Sequence, residues 1–175
     1  KGIPAAIVLA MARSVFRAVA PSTEEPAEAL RKINALFAPD LRRGMYVTAL
    51  YVIYDSNSQS ARVASAGHKL PAIHHVSSDD TLQRIHPAGI AMGLDKGPVL
   101  DRSMTESDVK LETGDTILIG SAGIVLLKLS PEEPIGEQRF VKLALGALRS
   151  DPGNAAHKIV GRIDEHIDDS EVTAD

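Results

Sequence analysis

The chain has 175 residues, a formal net charge of −4, and is 44% hydrophobic and 24% charged. That balance can bury a core without staples and excludes a disordered, collagen-like or coiled-coil chain. The lack of cysteine excludes a disulfide scaffold, a thiolate zinc site and a cysteine nucleophile; scattered Lys and Arg with no Trp give no nucleic-acid footprint.

Residues 3–20 read as a first helix, with Pro4 in its first turn and Ile3, Ile7, Val8, Met11, Val15 and Val19 on one apolar stripe. Arg13 and Arg17 interrupt that run, so no membrane segment is expected. A second helix is expected over residues 26–38, with Leu30, Ile33 and Phe37 inward, ended by Pro39. Residues 45–54 are β-branched and aromatic with both alternating faces largely apolar, the pattern of a strand covered on both sides. The turn Asp55-Ser56-Asn57-Ser58 returns the chain into a strand over residues 61–66, which makes a hairpin.

Residues 70–76 and 81–85 read as two further strands around a polar turn. Residues 87–98 carry three glycines and read as loop. Strands are expected over residues 103–111 and 116–120, separated by the turn Thr113-Gly114-Asp115. Helices are expected over residues 136–148 and 154–167. Asn154 would cap the second, and Ile159, Val160, Ile163 and Ile167 would face inward. Helices, then antiparallel strands, then helices predict an α+β fold with helices covering a sheet or a sandwich.

Few residues suggest chemistry by themselves. Gly120-Ser121-Ala122-Gly123 follows a strand, but a nucleophile elbow needs G-x-S-x-G and Ile119 occupies the first glycine position. A small-residue turn is the favoured reading of Ser121. His74 and His75 alternate along a strand and point to opposite faces, so both are read as partly exposed strand residues. His68, between Gly67 and Lys69 at a strand end, is read as a backbone-bonding residue of a turn. His86, His157 and His166 have no partner by spacing. The aspartates fall mostly in turns, where local hydrogen bonding alone favours them.

Six blocks of the sequence carry a resemblance. Lys1-Gly2-Ile3-Pro4-Ala5-Ala6 resembles a G-K-G-x-P-A-A segment. Met45-Tyr46-Val47-Thr48-Ala49-Leu50 is similar to M-F-V-T-A-L, and Ala66-Gly67-His68-Lys69-Leu70-Pro71 to A-G-H-x-P-P. Gly89-Ile90-Ala91-Met92-Gly93-Leu94 is similar to G-x-P-L-G-L. Leu111 to Leu118 resembles L-x-x-G-D-x-L-L, and Gly136-Glu137-Gln138-Arg139-Phe140 resembles G-E-E-R-F. These blocks, in this order, resemble the SpoIIE/RsbU-type phosphatases, a bacterial branch of the metal-dependent PP2C-like (PPM) family.

The resemblance implies an α-β-β-α sandwich and a cytoplasmic enzyme of signal transduction. It implies hydrolysis of phosphoserine or phosphothreonine on a partner such as an anti-sigma-factor antagonist with a STAS fold. Two Mn2+ or Mg2+ ions held by Asp carboxylates would activate a water for in-line attack, clamping the attacking and leaving oxygens. No cysteine or serine nucleophile is then needed.

Three departures qualify it. The family's first metal Asp, in G-D-V-S-G-K-G, would immediately precede Lys1. Its next lies in [ST]-D-G-[IV], where this chain reads Ser121-Ala122-Gly123-Ile124. Ala122 thus occupies a metal-Asp position and Gly123 is the motif glycine. The last opens a D-D-[IM]-T segment and aligns with Asp175. The competing Asp168-Asp169 is followed by Ser170-Glu171, off the pattern. The expectation is a single incomplete phosphatase domain over residues 1–175, lacking the N-terminal strands and the last strand, with the metals absent. Open sheet edges would then favour a homodimer. The alternative is a pseudophosphatase that binds its partner without turnover.

Overall fold

The computed structural model describes residues 2–130 and 133–165. In chain order the elements are α1 (Gly2–Val19), α2 (Pro26–Phe37), β1 (Ala49–Asp55), β2 (Ser60–Ala66), β3 (Ala72–Val76), β4 (Thr81–Ile85), α3 (Pro98–Ser103), β5 (Glu106–Lys110), β6 (Thr116–Leu118), α4 (Ala122–Leu126), β7 (Lys128–Ser130), β8 (Glu133–Pro134), α5 (Gly136–Ser150) and α6 (Ala155–Asp164). They fall into two compact units, Lys1–His68 with His86–Leu111, and Lys69–Ile85 with Glu112–Asp175.

The first unit packs α1 and α2 with an antiparallel sheet of order β1-β2-β5. The expected hairpin is present, with Val52 opposite Val63 and Asp55 opposite Ser60. Its turn is held by Asp55, whose Oδ1 accepts the Asn57 N–H at 2.9 Å. Among the described residues β1 pairs on one side only. Leu30, Ile33 and Phe37 are buried as expected, against Ala64, Ala66, Met92 and Leu100. Each such side chain contributes about 1.5–3 kcal/mol by leaving water. Phe16 meets Tyr51 edge-on, with ring centroids 4.8 Å apart.

Three elements, β1, α1 and α3, differ from expectation here. Strand β1 starts at Ala49 rather than Met45, because Val47 instead exchanges both backbone hydrogen bonds with Met92, each 2.9 Å long. Its face is half-buried, not covered on both sides. On α1, Val8, Ala12 and Val19 are buried, but Ile3 is 78% and Ile7 56% exposed, so the stripe narrows to one edge. By length and composition alone, Gly2–Ser22 is apolar enough to cross a membrane despite Arg13 and Arg17. Helix α3 is unexpected: it fills residues 99–102, between the expected loop and the expected strand, and takes in Pro98 and Ser103 at their ends. Its start is fixed by Asp95, whose Oδ1 accepts the N–H groups of Gly97, Val99 and Leu100.

The loop before it approaches β2 closely. The Gly67 N–H donates to the Gly89 carbonyl at 3.1 Å, and a Cβ on Gly89 would collide with the Ser65 carbonyl oxygen.

The second unit packs α5 and α6 with an antiparallel sheet of order β4-β3-β6. Leu70, Ile73, Phe140, Ala144, Leu148, Ile159 and Ile163 form its core. Ile159 and Ile163, four apart, face inward as expected; Val160 is 50% exposed because it lies a further turn-third around α6. Ile167 lies outside the described residues. Asn154 holds the N-cap position without capping, since its Nδ2 donates to Asp151 Oδ2 at 2.9 Å instead.

Candidate functional site

The sequence points to residues 121–123. Strand β6 ends at Leu118, and three residues later Ser121 takes an extended backbone (φ −76°, ψ 155°) before α4 begins at Ala122. The Ser121 carbonyl accepts the Ile124 N–H at 3.2 Å, which fixes the turn. The Ser121 hydroxyl is exposed and has no hydrogen-bond partner among the described residues. A nucleophilic serine needs a base within reach, so nothing supports one here.

Ala122 is half-buried and Gly123 exposed in the first turn of α4. A carboxylate at position 122 would stand beside the free N–H groups of that turn. The methyl group of Ala122 offers no lone pair. Asp168, Asp169 and Asp175 lie outside the described residues. Among the described residues, no three His, Asp or Glu side chains come together where a metal ion could bind. The described residues therefore do not by themselves fit a two-ion centre, which needs several oxygen ligands from different segments.

Two buried histidines, each paired with an aspartate, are not legible in the sequence: Asp115 is buried with His74, whereas Asp80, on His75, is 44% exposed. His74 and His75 are buried, not partly exposed. They do point apart as expected, and each takes its own acid. His74 Nε2 donates to Asp115 Oδ2 at 2.9 Å, and both side chains are under 5% exposed. His75 Nε2 donates to Asp80 Oδ1 at 2.9 Å, and Asp80 Oδ2 accepts from Arg149 Nε at 2.5 Å. A carboxylate only accepts, so in both pairs Nε2 carries the hydrogen, and Nδ1 is buried with no partner among the described residues.

Asp115 also accepts the N–H groups of Ser77, at 2.9 Å, and of Glu112, at 3.0 Å. Burial works against its charge, but the Glu112 and Ser77 N–H groups, His74 and the Ser77 hydroxyl outweigh burial and hold its carboxyl well below the usual range. The His75 N–H, with Arg149, likewise lowers Asp80. These acids close turns and join β3 to the β6 approach and to α5. His86 Nε2 donates to the His68 carbonyl at 3.1 Å, and the His68 N–H to Ser65 Oγ at 3.2 Å, so His68 does bond through its backbone.

Comparison with known proteins agrees with the resemblance. The profile of the family described as Stage II sporulation protein E (SpoIIE) matches residues 1–175. The phosphoserine phosphatase RsbU of Bacillus subtilis (strain 168) is 27% identical over 124 residues, 71% of this chain and 36% of RsbU. The chain thus spans about a third of the length of that curated relative. In fold it is similar to the SiaA-PP2C domain of Pseudomonas aeruginosa, with a TM-score of 0.78 at 19% identity over 96% of this chain and 64% of that one. It is also similar to the RsbU and RsbW domains of a Mycobacterium tuberculosis protein, with a TM-score of 0.74 at 20% identity over 93% and 44% of the two chains. The mixed helix and sheet architecture, with two antiparallel three-stranded sheets, is thus that of PP2C-type phosphatase domains.

Proposed function

We propose, from the premise that this chain belongs to the SpoIIE family, that it forms part of a single RsbU-type phosphatase domain. The domain removes phosphate from phosphoserine or phosphothreonine on a signalling protein, an anti-sigma-factor antagonist of STAS fold being the model partner. The observation that carries this reading is the family match along the whole of residues 1–175, joined by the identity to a phosphoserine phosphatase. Manganese or magnesium is the cofactor class that the resemblance implies, and a cytoplasmic location goes with such a partner.

A second reading rests on Ala122. Position 122 supplies no ligand and the described residues assemble no carboxylate cluster. A domain in this state would recognise the phosphorylated partner without turning it over. Removing one carboxylate from a shared cation site weakens the cation's hold on the rest.

Manganese titration of the whole protein by calorimetry separates the two. Two tight sites support hydrolysis. No manganese binding, with retained binding of the phosphorylated STAS-type protein, supports recognition without turnover. Binding of neither sinks both readings.

A further inference from the structure

The first unit carries a pocket open to solvent, in which Arg42, Arg43, Gly44, Leu94 and Lys96 are all exposed. It has a volume of about 360 Å³ and lies between the loop after α2 and the loop before α3. Ala38, Leu41 and Leu94 supply its apolar wall, and Arg42, Arg43 and Lys96 its charge. None of these three cations is ion-paired among the described residues. The Gly44 N–H, beside the two arginines, makes no hydrogen bond there either.

The cavity is built rather than incidental. The buried Asn34 side chain bridges its far wall, accepting the Gly93 N–H at 2.8 Å and donating to the Asp95 carbonyl at 2.9 Å. The paired backbones of Val47 and Met92 lock the two loops together. Gly93 has φ +89°, and a Cβ there would collide with Leu41 Cδ1, so the wall closes directly on that leucine. The acid next to Lys96, Asp95, is turned onto the N–H groups of Gly97, Val99 and Leu100 and does not line the pocket. Asp40 ends the short 3-10 turn Ala38–Asp40 but does not line the cavity.

We propose that this cavity binds a small phosphate monoester, its dianionic head on Arg42, Arg43 and Lys96 and its apolar body against Leu41 and Leu94. Two planar guanidinium forks suit the oxygens of a phosphate better than those of a single carboxylate. The volume suits a small molecule, at the lower end of ordinary ligand pockets, and not a folded partner. The proposal does not depend on metal or on residue 122.

The test uses the intact chain with a metal chelator present, and phenyl phosphate as probe. Titration is followed by amide shifts in nuclear magnetic resonance. Saturating shifts at Gly44, Gly93 and Leu94 are expected, with phenyl phosphate tighter than inorganic phosphate. Arg42→Gln with Arg43→Gln should weaken binding by about tenfold or more. Lys96→Gln should weaken it less, and both variants should keep the circular dichroism of the parent. Shifts elsewhere, an affinity unmoved by the arginine changes, or no preference over inorganic phosphate would overturn the proposal. So would a hexaglutamate peptide that binds more tightly, which would assign the cavity to an acidic protein segment.

Discussion

His74 Nε2 lies 2.9 Å from Asp115 Oδ2 although 41 residues separate them in sequence. The contact exists because β3 pairs antiparallel with β6, with His74 opposite Ile117, and this brings the turn before β6 over the histidine. Asp115 then spends its remaining lone pairs on Ser77 and Glu112. One carboxylate fixes two turns and a buried ring.

Asp115→Asn should therefore destabilise the protein by about 2 kcal/mol, because charge-assisted bonds to three partners are lost or reversed. The sign with pH follows from its depressed carboxyl. In the unfolded chain Asp titrates near 4, so the stabilising contribution is complete above about pH 5. It is lost as pH falls through the lower folded value. Urea unfolding should show a parent–variant gap that is full at neutral pH and narrows below about pH 4. A gap that widens on acidification contradicts this assignment.

Asn34→Ala should cost about 2–3 kcal/mol, more than its side-chain size suggests. Asn34 is 1% exposed, and its loss leaves the Gly93 N–H and the Asp95 carbonyl without their partner. Denaturant midpoints measure this. A loss under about 0.5 kcal/mol would mean that water replaces the amide in the bridge.

Gly89→Ala should destabilise by about 2 kcal/mol or more, since its Cβ meets backbone that cannot rotate away. Thermal unfolding should report a clear drop. Gly161→Ala, on α6 with open space around a Cβ, is the matched control and should be neutral or slightly stabilising.

Much of this fold is legible in the sequence, because the α1, α2, β2, β4, α5 and α6 patterns are periodic and bounded by turn residues. Strand β4 is found at its predicted residues, and the inward faces of α2 and of Ile159 and Ile163 follow from spacing alone. The misses share a cause. Burial of His74 and His75, the Val47–Met92 bridge and the start of α3 at Pro98, held by Asp95, are all set by segments distant in sequence or by side chain to backbone bonds. Periodicity carries no such information. Position 122 is the reverse case. Its motif is legible in the sequence, and the structure adds where it stands, in the first turn of α4 after β6.

In the function proposed above, residue 122 decides turnover on a PP2C-type scaffold. Its most direct measurement is manganese-dependent phosphate release from a phosphoserine STAS-type protein, by the whole protein with Ala122 and with Ala122→Asp. A restored ligand should raise the rate about 100-fold or more, as expected for several kcal/mol of charge stabilisation. Equal rates for the two forms, or no release by either, would contradict the claim.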